Sequence, residues 1–210
     1  LPAIGIPVAF EVTTEIERRS SGSRFRRSVL PVQRGMIEAS ARIAQGTLDI
    51  CRGVWQGDID HGVNYCGGLH HAMRSYASGF CIYNDIGVGI QWLLDHGAQR
   101  VAYVDIDAHH GDGVFYAFEA DPQVIFADIH EDGRTLYPGT GAADEVGKGA
   151  AVGAKLNLPV PAGADDATFN AVWPRVLAFV EAANPEFIIL QCGADSIAGD
   201  PLTHLDLSPA

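Results

Sequence analysis

Between Arg100 and Gly113 the chain reads RVAYVDIDAHHGDG, a short apolar run that ends in three carboxylates and two histidines. Val101, Ala102, Tyr103, Val104 and Ile106 are apolar and partly β-branched, bounded by polar and glycine signals. That pattern suits a strand covered on both faces of a parallel sheet. Asp107 and His109 are two residues apart, so in extended backbone their side chains point to one face and could grip a single ion. A polar strand end that merely makes turns and helix caps is the alternative, and the stretch taken alone does not choose between them.

The 210 residues, 47% of them hydrophobic, can bury a sizeable core and fit one large α/β domain better than two small ones. A net charge of −12 argues against a general affinity for nucleic-acid phosphate or anionic membrane, while a basic peptide or small cation remains compatible. Cys51, Cys66, Cys81 and Cys192 form no CxxC pair and sit in apolar contexts, so four buried, reduced thiols in a cytoplasmic protein are expected. Zinc on thiolates is not. The opening LPAIGIPVAF is followed by Glu11, without the basic leader of a signal peptide or the length of a membrane span. A soluble protein is expected and, with Leu1 where a Met would start, a fragment.

Residues 1–34 form an atypical segment, basic and Ser-rich in part: ERRSSGSRFRRS carries five arginines and reads as a solvated loop. From Gly35 to Arg52, apolar residues recur at helical spacing with Gly46 as a weak point, giving one or two helices. Gly57 to His61 reads as a turn. Val63, Tyr65 and Cys66 read as a short strand leading into Gly67-Gly68 and the tandem pair His70-His71, which needs an irregular loop to face a common space. Asn84-Asp85 caps an amphipathic helix that ends at His96-Gly97. Between two strands, that helix is expected to be the crossover of a βαβ unit.

Gly113 to Ala120 is read as a short helix, Gln123 to His130 as a second strand ending in polar residues, and Tyr137 to Gly141 as turn chemistry. A strand from Lys155 to Val160, a helix from Thr168 to Ala182 that contains Pro174, and a strand from Phe187 to Leu190 complete the alternation. The fold class is therefore α/β, a three-layer open parallel sheet with helices on both faces. Ligands collect beyond the carboxyl ends of such strands, where Asp107, His109 and Asp195 all lie. Two carboxylates and one imidazole suit zinc or another first-row divalent ion, and three protein ligands leave a position open for water and substrate.

The words GGLHHA (67–72), ASGFCIYND (77–85), DIDAHHGDGV (105–114), YPGTG (137–141) and QCGADSIAGDPL (191–202), in this order, resemble the histone deacetylase family, including the bacterial acetoin-utilisation and acetylpolyamine deacetylases. The resemblance covers about Gly35 to the end and makes residues 35–210 a partial catalytic domain of the arginase/deacetylase fold, incomplete at its C-terminus. It implies zinc on Asp107, His109 and Asp195. His70 and His71 become the tandem histidines, with His71 as general base and then general acid, Asp105 behind His70 and Asp112 behind His71. Gly79, Phe80, Tyr137 and Leu202 would line the tunnel for the acyl-lysine stem. A monovalent cation, usually potassium, would sit among Asp105, Asp107, His109 and Asp128, although Asp128 stands where serine is common.

What the resemblance implies is hydrolysis of the acetyl amide of acetyl-lysine or of small acetylated amines, releasing acetate. Relatives also carry a catalytic tyrosine in a Gly-rich loop beyond the aspartate ligand and an acidic substrate clamp ahead of Gly35. This chain reaches Ala210 before any such loop and offers Val29-Leu30-Pro31 at the clamp, so weak or no activity is expected of it alone. A module that binds acetylated ligands without turnover is one alternative. A ureohydrolase with two manganese ions is another, disfavoured because Gly111 and Ser196 stand where further carboxylates would be needed.

Overall fold

A computed structural model describes residues 35–209. The expectations for residues 1–34, including the basic run and the missing clamp carboxylate, lie outside the described residues.

The first element, α1 (Met36–Gln56), is one helix and not two. Gly46 is a place of close approach: a side chain there would meet Asn64, whose Nδ2 donates to the Ile43 carbonyl at 3.0 Å and to the Thr47 hydroxyl at 2.8 Å. Residues 63–66 correct the expected strand. Val63 and Tyr65 are 68% and 95% exposed, so their apolar character reflects no sheet pairing, and the segment is a loop pinned to α1 through Asn64. The helix that follows, α2 (Asp85–Asp95), is capped as expected by Asn84, whose side chain accepts from Gly87 N at 2.8 Å. Among the described residues no strand precedes α2, which follows a loop.

The sheet contains β1 (Val101–Asp105), β2 (Val124–Glu131), β3 (Lys155–Val160) and β4 (Phe187–Gln191), all parallel, in the order β3-β2-β1-β4. α3 (Asp112–Phe118) joins β1 to β2, and α4 (Asp166–Ala183) carries the chain from one sheet edge to the other. Pro174 is tolerated inside α4 because it lies on the exposed face, where the carbonyl it leaves unpaired meets water. Strand periodicity divides the core. Val101, Tyr103, Val124 and Phe126 pack with residues of α1, α2 and α3, whereas Val104, Ala127, Ile129 and Leu158 pack with Val176, Phe169 and Val172 of α4. This is the three-layer α/β arrangement expected.

Register brings three strand ends level, with Asp105 facing Asp128 on one side and Gln191 on the other. Among the described residues β4 has β1 as its one neighbour, and Ile188 and Leu190 on it are 55% and 52% exposed. A groove of about 950 Å³ runs along β4 against α1 and the 60–68 loop. The thiols need a second correction. Cys51 and Cys81 are buried, but Cys66 and Cys192 are exposed, because one lies in the irregular loop and the other just past the end of the open-edged strand. All four are free.

Candidate active site

At the end of β1 the backbone stops being extended. Asp105 accepts the Asp107 N–H at 3.0 Å, and Asp107 in turn accepts the His109 N–H at 2.8 Å. Two successive Asx turns, not strand alternation, therefore bring Asp107 and His109 together. Asp195 arrives from the turn after β4. One of its oxygens accepts the Ala108 N–H at 3.0 Å, and the other lies 2.7 Å from His109 Nδ1, which is 3.2 Å from Asp107 Oδ1. One ligand atom from each of these three residues lies within 4.8 Å of the others, a group that can hold a metal ion.

The two carboxylates set the electrostatics of the cluster. Burial pulls His109 down, but the carboxylates of Asp107 and Asp195 outweigh it and raise the imidazole to about 9. Burial would raise Asp107, yet His109 and His70 hold its carboxyl well below the usual range. In the absence of a metal the His109 proton supplies the positive charge, and a metal must displace it.

The tandem histidines come from the loop before α2, and the helix start fixes that loop. Asp85, 1% exposed, accepts the N–H groups of Gly68 and Leu69 at 3.1 and 2.8 Å and the Thr47 hydroxyl at 2.6 Å. Asn84 Nδ2 donates to the Ala72 carbonyl at 3.1 Å. The rings then take separate carboxylates: His70 Nδ1 lies 2.8 Å from Asp105 and His71 Nδ1 2.6 Å from Asp112. Burial lowers His70, but Asp105 overcomes it and raises the ring to about 10. His71 is lowered, by burial first and by the neighbouring charge of His70, against the opposing hydrogen bond to Asp112.

Tyr137 packs edge-on against His71 at a centroid distance of 5.1 Å, and its hydroxyl is 2.6 Å from the Ser78 hydroxyl. A side chain on Gly79 would collide with the His71 ring, and the left-handed backbone there (φ 51°) favours glycine in any case. Phe80 and Leu202 are exposed, at 81% and 65%. Leu202 precedes Thr203, whose hydroxyl donates to the Asp195 carbonyl. Asp128 is fully buried on β2 opposite Asp105. The sequence reading missed several residues that aim the others: Thr47, Asn64 and Asp85 behind the histidine loop, Tyr103 donating to Asp105, and Gln191, whose Nε2 donates to Asp107 at 2.9 Å. Of these, Asp85 had a signal, its place beside the cap residue Asn84.

The family model described as "Histone deacetylase domain" matches residues 9–210. The chain belongs to the histone deacetylase family. It is 46% identical over 176 residues to the acetoin utilization protein AcuC of Bacillus subtilis, a match covering 83% of this chain and 46% of that relative. To the histone deacetylase RPD3 of Saccharomyces cerevisiae it is 42% identical over 179 residues, covering 85% and 41% of the two chains. A solved histone deacetylase homologue complexed with SAHA superposes with a TM-score of 0.79 at 35% identity, covering 84% of this chain and 48% of that one. This member of the histone deacetylase family thus spans about half the length of the relatives it matches, and the match to the family model begins well before Gly35.

Proposed function

We propose that this protein carries the metal and proton-transfer half of a deacetylase site that hydrolyses the acetyl amide of acetyl-lysine peptides or small acetylated amines. The observation that carries this reading is the pair of histidine–carboxylate dyads beside the Asp107–His109–Asp195 cluster, with the His71 and His109 ring centroids 5.7 Å apart. Zinc fits the donor set. One imidazole nitrogen and two carboxylates, with ligand atoms within 4.8 Å of one another, are donor types that zinc takes, and three of them would leave a position open. Asp107, His109 and Asp195 would hold zinc, which would supply polarisation of the amide carbonyl and acidification of water.

The chain's own groups divide the remaining work. His71, kept neutral, carries its lone pair at Nε2, which here accepts from His70 Nε2; giving up that bond lets it take a proton from the attacking water and return it to the leaving amine, while Asp112 fixes its tautomer through Nδ1. His70, held cationic by Asp105, places positive charge beside the reacting centre. Gly79, Phe80, Tyr137 and Leu202 are read as the walls that receive the aliphatic stem. The resemblance also implies potassium near Asp105, Asp107, His109 and Asp128. The oxygens of Asp105 and Asp128 accept from His70, Tyr103, Asp107, Gly111 and His130, and no role is built on the ion.

A cytoplasmic location agrees with four free thiols. Within residues 35–209 Tyr137 is bonded to Ser78. The test loads the chain with zinc and measures acetate released from an acetyl-lysine peptide and from an acetylated polyamine, with SAHA as a binding probe. Acetate release supports the reading; SAHA binding without turnover favours a binding module. Two manganese ions with urea release from a guanidino substrate would replace the proposal with a ureohydrolase.

A further inference from the structure

A buried ion pair outside the reacting groups ties together the two loops that hold His71. Asp128 and His130 lie two apart on β2, on the same face of the strand, and both are 0% exposed. One Asp128 oxygen lies 2.7 Å from His130 Nδ1 and the other accepts the Gly111 main-chain N–H at 2.9 Å. His130 Nε2 is 2.9 Å from the Gly141 carbonyl oxygen. A carboxylate and a carbonyl only accept, so both ring nitrogens must donate and the ring is an imidazolium.

The two contacts outside the pair fall on functionally placed loops. Gly111 immediately precedes Asp112, whose carboxylate holds His71 Nδ1 at 2.6 Å. Gly141 closes the turn that presents Tyr137, whose ring packs edge-on against His71. A side chain at Gly141 would collide with the His130 and His110 rings, and its backbone is left-handed at φ 85°, so glycine is what lets this loop close on the imidazolium.

We propose that the Asp128–His130 pair is a positioning device for His71, setting Asp112 from below through Gly111 and the Tyr137 wall through Gly141. Where the family resemblance has a serine, this chain has a carboxylate paired with His130. The pair touches no substrate; it acts through the loops. A fully buried pair survives only when its remaining donors and acceptors are used, and here each is. Removing the carboxylate strands the imidazolium and frees Gly111. This inference rests on the reading of His71 as the proton-transfer group, but its test needs no turnover.

The test is NMR of the chain with ¹⁵N-labelled histidines, without metal or substrate. In the unaltered chain His130 is expected to show protons on both ring nitrogens at neutral pH, and His71 a strongly downfield Nδ1–H from its bond to Asp112. In Asp128→Ser, with native far-UV circular dichroism, the His71 Nδ1–H signal is expected to be lost. The isosteric Asp128→Asn is read the same way should the serine variant not fold. A neutral His130 ring in the unaltered chain, or an unmoved His71 signal in either folded variant, overturns the proposal. Should neither variant fold, the His130 measurement decides alone. A chain with no deacetylase activity would leave both readouts standing, so failure of that function and failure of this inference are separable.

Discussion

The Nε2 atoms of His70 and His71 lie 3.2 Å apart, while their Nδ1 atoms are held by different carboxylates, Asp105 and Asp112. One proton fits between the two Nε2 atoms, so the rings cannot play the same part. Asp105 raises His70 to about 10 against its burial, and burial lowers His71. The proton between them belongs to His70, and His71 offers the lone pair. In the metal-loaded protein His71→Ala is therefore expected to lower kcat by about 10² to 10⁴ while bound zinc stays at its original stoichiometry. Kinetics together with metal analysis checks this, and zinc lost with the ring would make His71 a ligand instead.

Metal affinity is expected to depend on a residue that is no ligand. A side chain added at Gly193 would collide with the Asp107 carboxylate, although the backbone there (φ −54°) suits alanine. Gly193→Ala should therefore push Asp107 off its position and weaken zinc binding by about 10- to 100-fold, in the range seen when groups around metal ligands are changed. Asp195→Ala should weaken it further. Competition with a chelator of known affinity measures both, and an unchanged constant in Gly193→Ala would show that Asp107 has room to retreat.

Sheet strands and the capped helix were legible because each is written in a local pattern. Lys155–Val160 has the bounds its sequence suggests, and Asn84 caps α2 as its type predicts. The candidate ligands were legible as words at strand ends. What aims them was not, because it crosses the chain. Asp85 reaches 16 residues back to the Leu69 N–H, and Gln191 reaches 84 residues back to Asp107. Val63 and Tyr65 look like a strand in isolation, yet among the described residues no strand pairs with them, and the Asn64 between them is claimed by α1. The Asp128–His130 pair shows only as period-two spacing until the register of β2 against β1 and the return of Gly141 are known.

Lys155 gives the fold a pH dependence on the alkaline side. It is 2% exposed, with its ammonium on the Asp121 and Val124 carbonyls; burial lowers it from 10.5 to about 8, with Asp121 opposing. Between about 8 and 10.5 the unfolded chain holds a proton that the folded chain has released, so this group makes stability rise with pH. The shift corresponds to about 3 kcal/mol across that window. Cys51 and Cys81, raised by burial to about 12 and about 11, act oppositely above their ordinary value of 9.0. Lys155→Met removes only the lysine contribution. The wild-type minus variant difference in urea-unfolding free energy should climb from pH 8 to pH 10.5, and a flat difference would show Lys155 unperturbed.

Among the described residues β4 has β1 as its one neighbour, and its other edge is expected to govern how this chain behaves at high concentration. Unpaired backbone groups on an edge strand template pairing with another chain, and charges are the usual protection. Here the strand reads Phe187–Gln191 without a charge, and Ile188 and Leu190 present more than half of their surface, at 55% and 52%. Neither side chain belongs to the His70–His71 or Asp107–His109–Asp195 groups. Ile188→Lys with Leu190→Lys is therefore expected to reduce self-association without weakening zinc binding. Sedimentation velocity over a concentration series, paired with zinc titration, checks this. Equal association in both proteins would move the contact elsewhere, and a loss of zinc affinity would tie the edge to the metal site through Gln191.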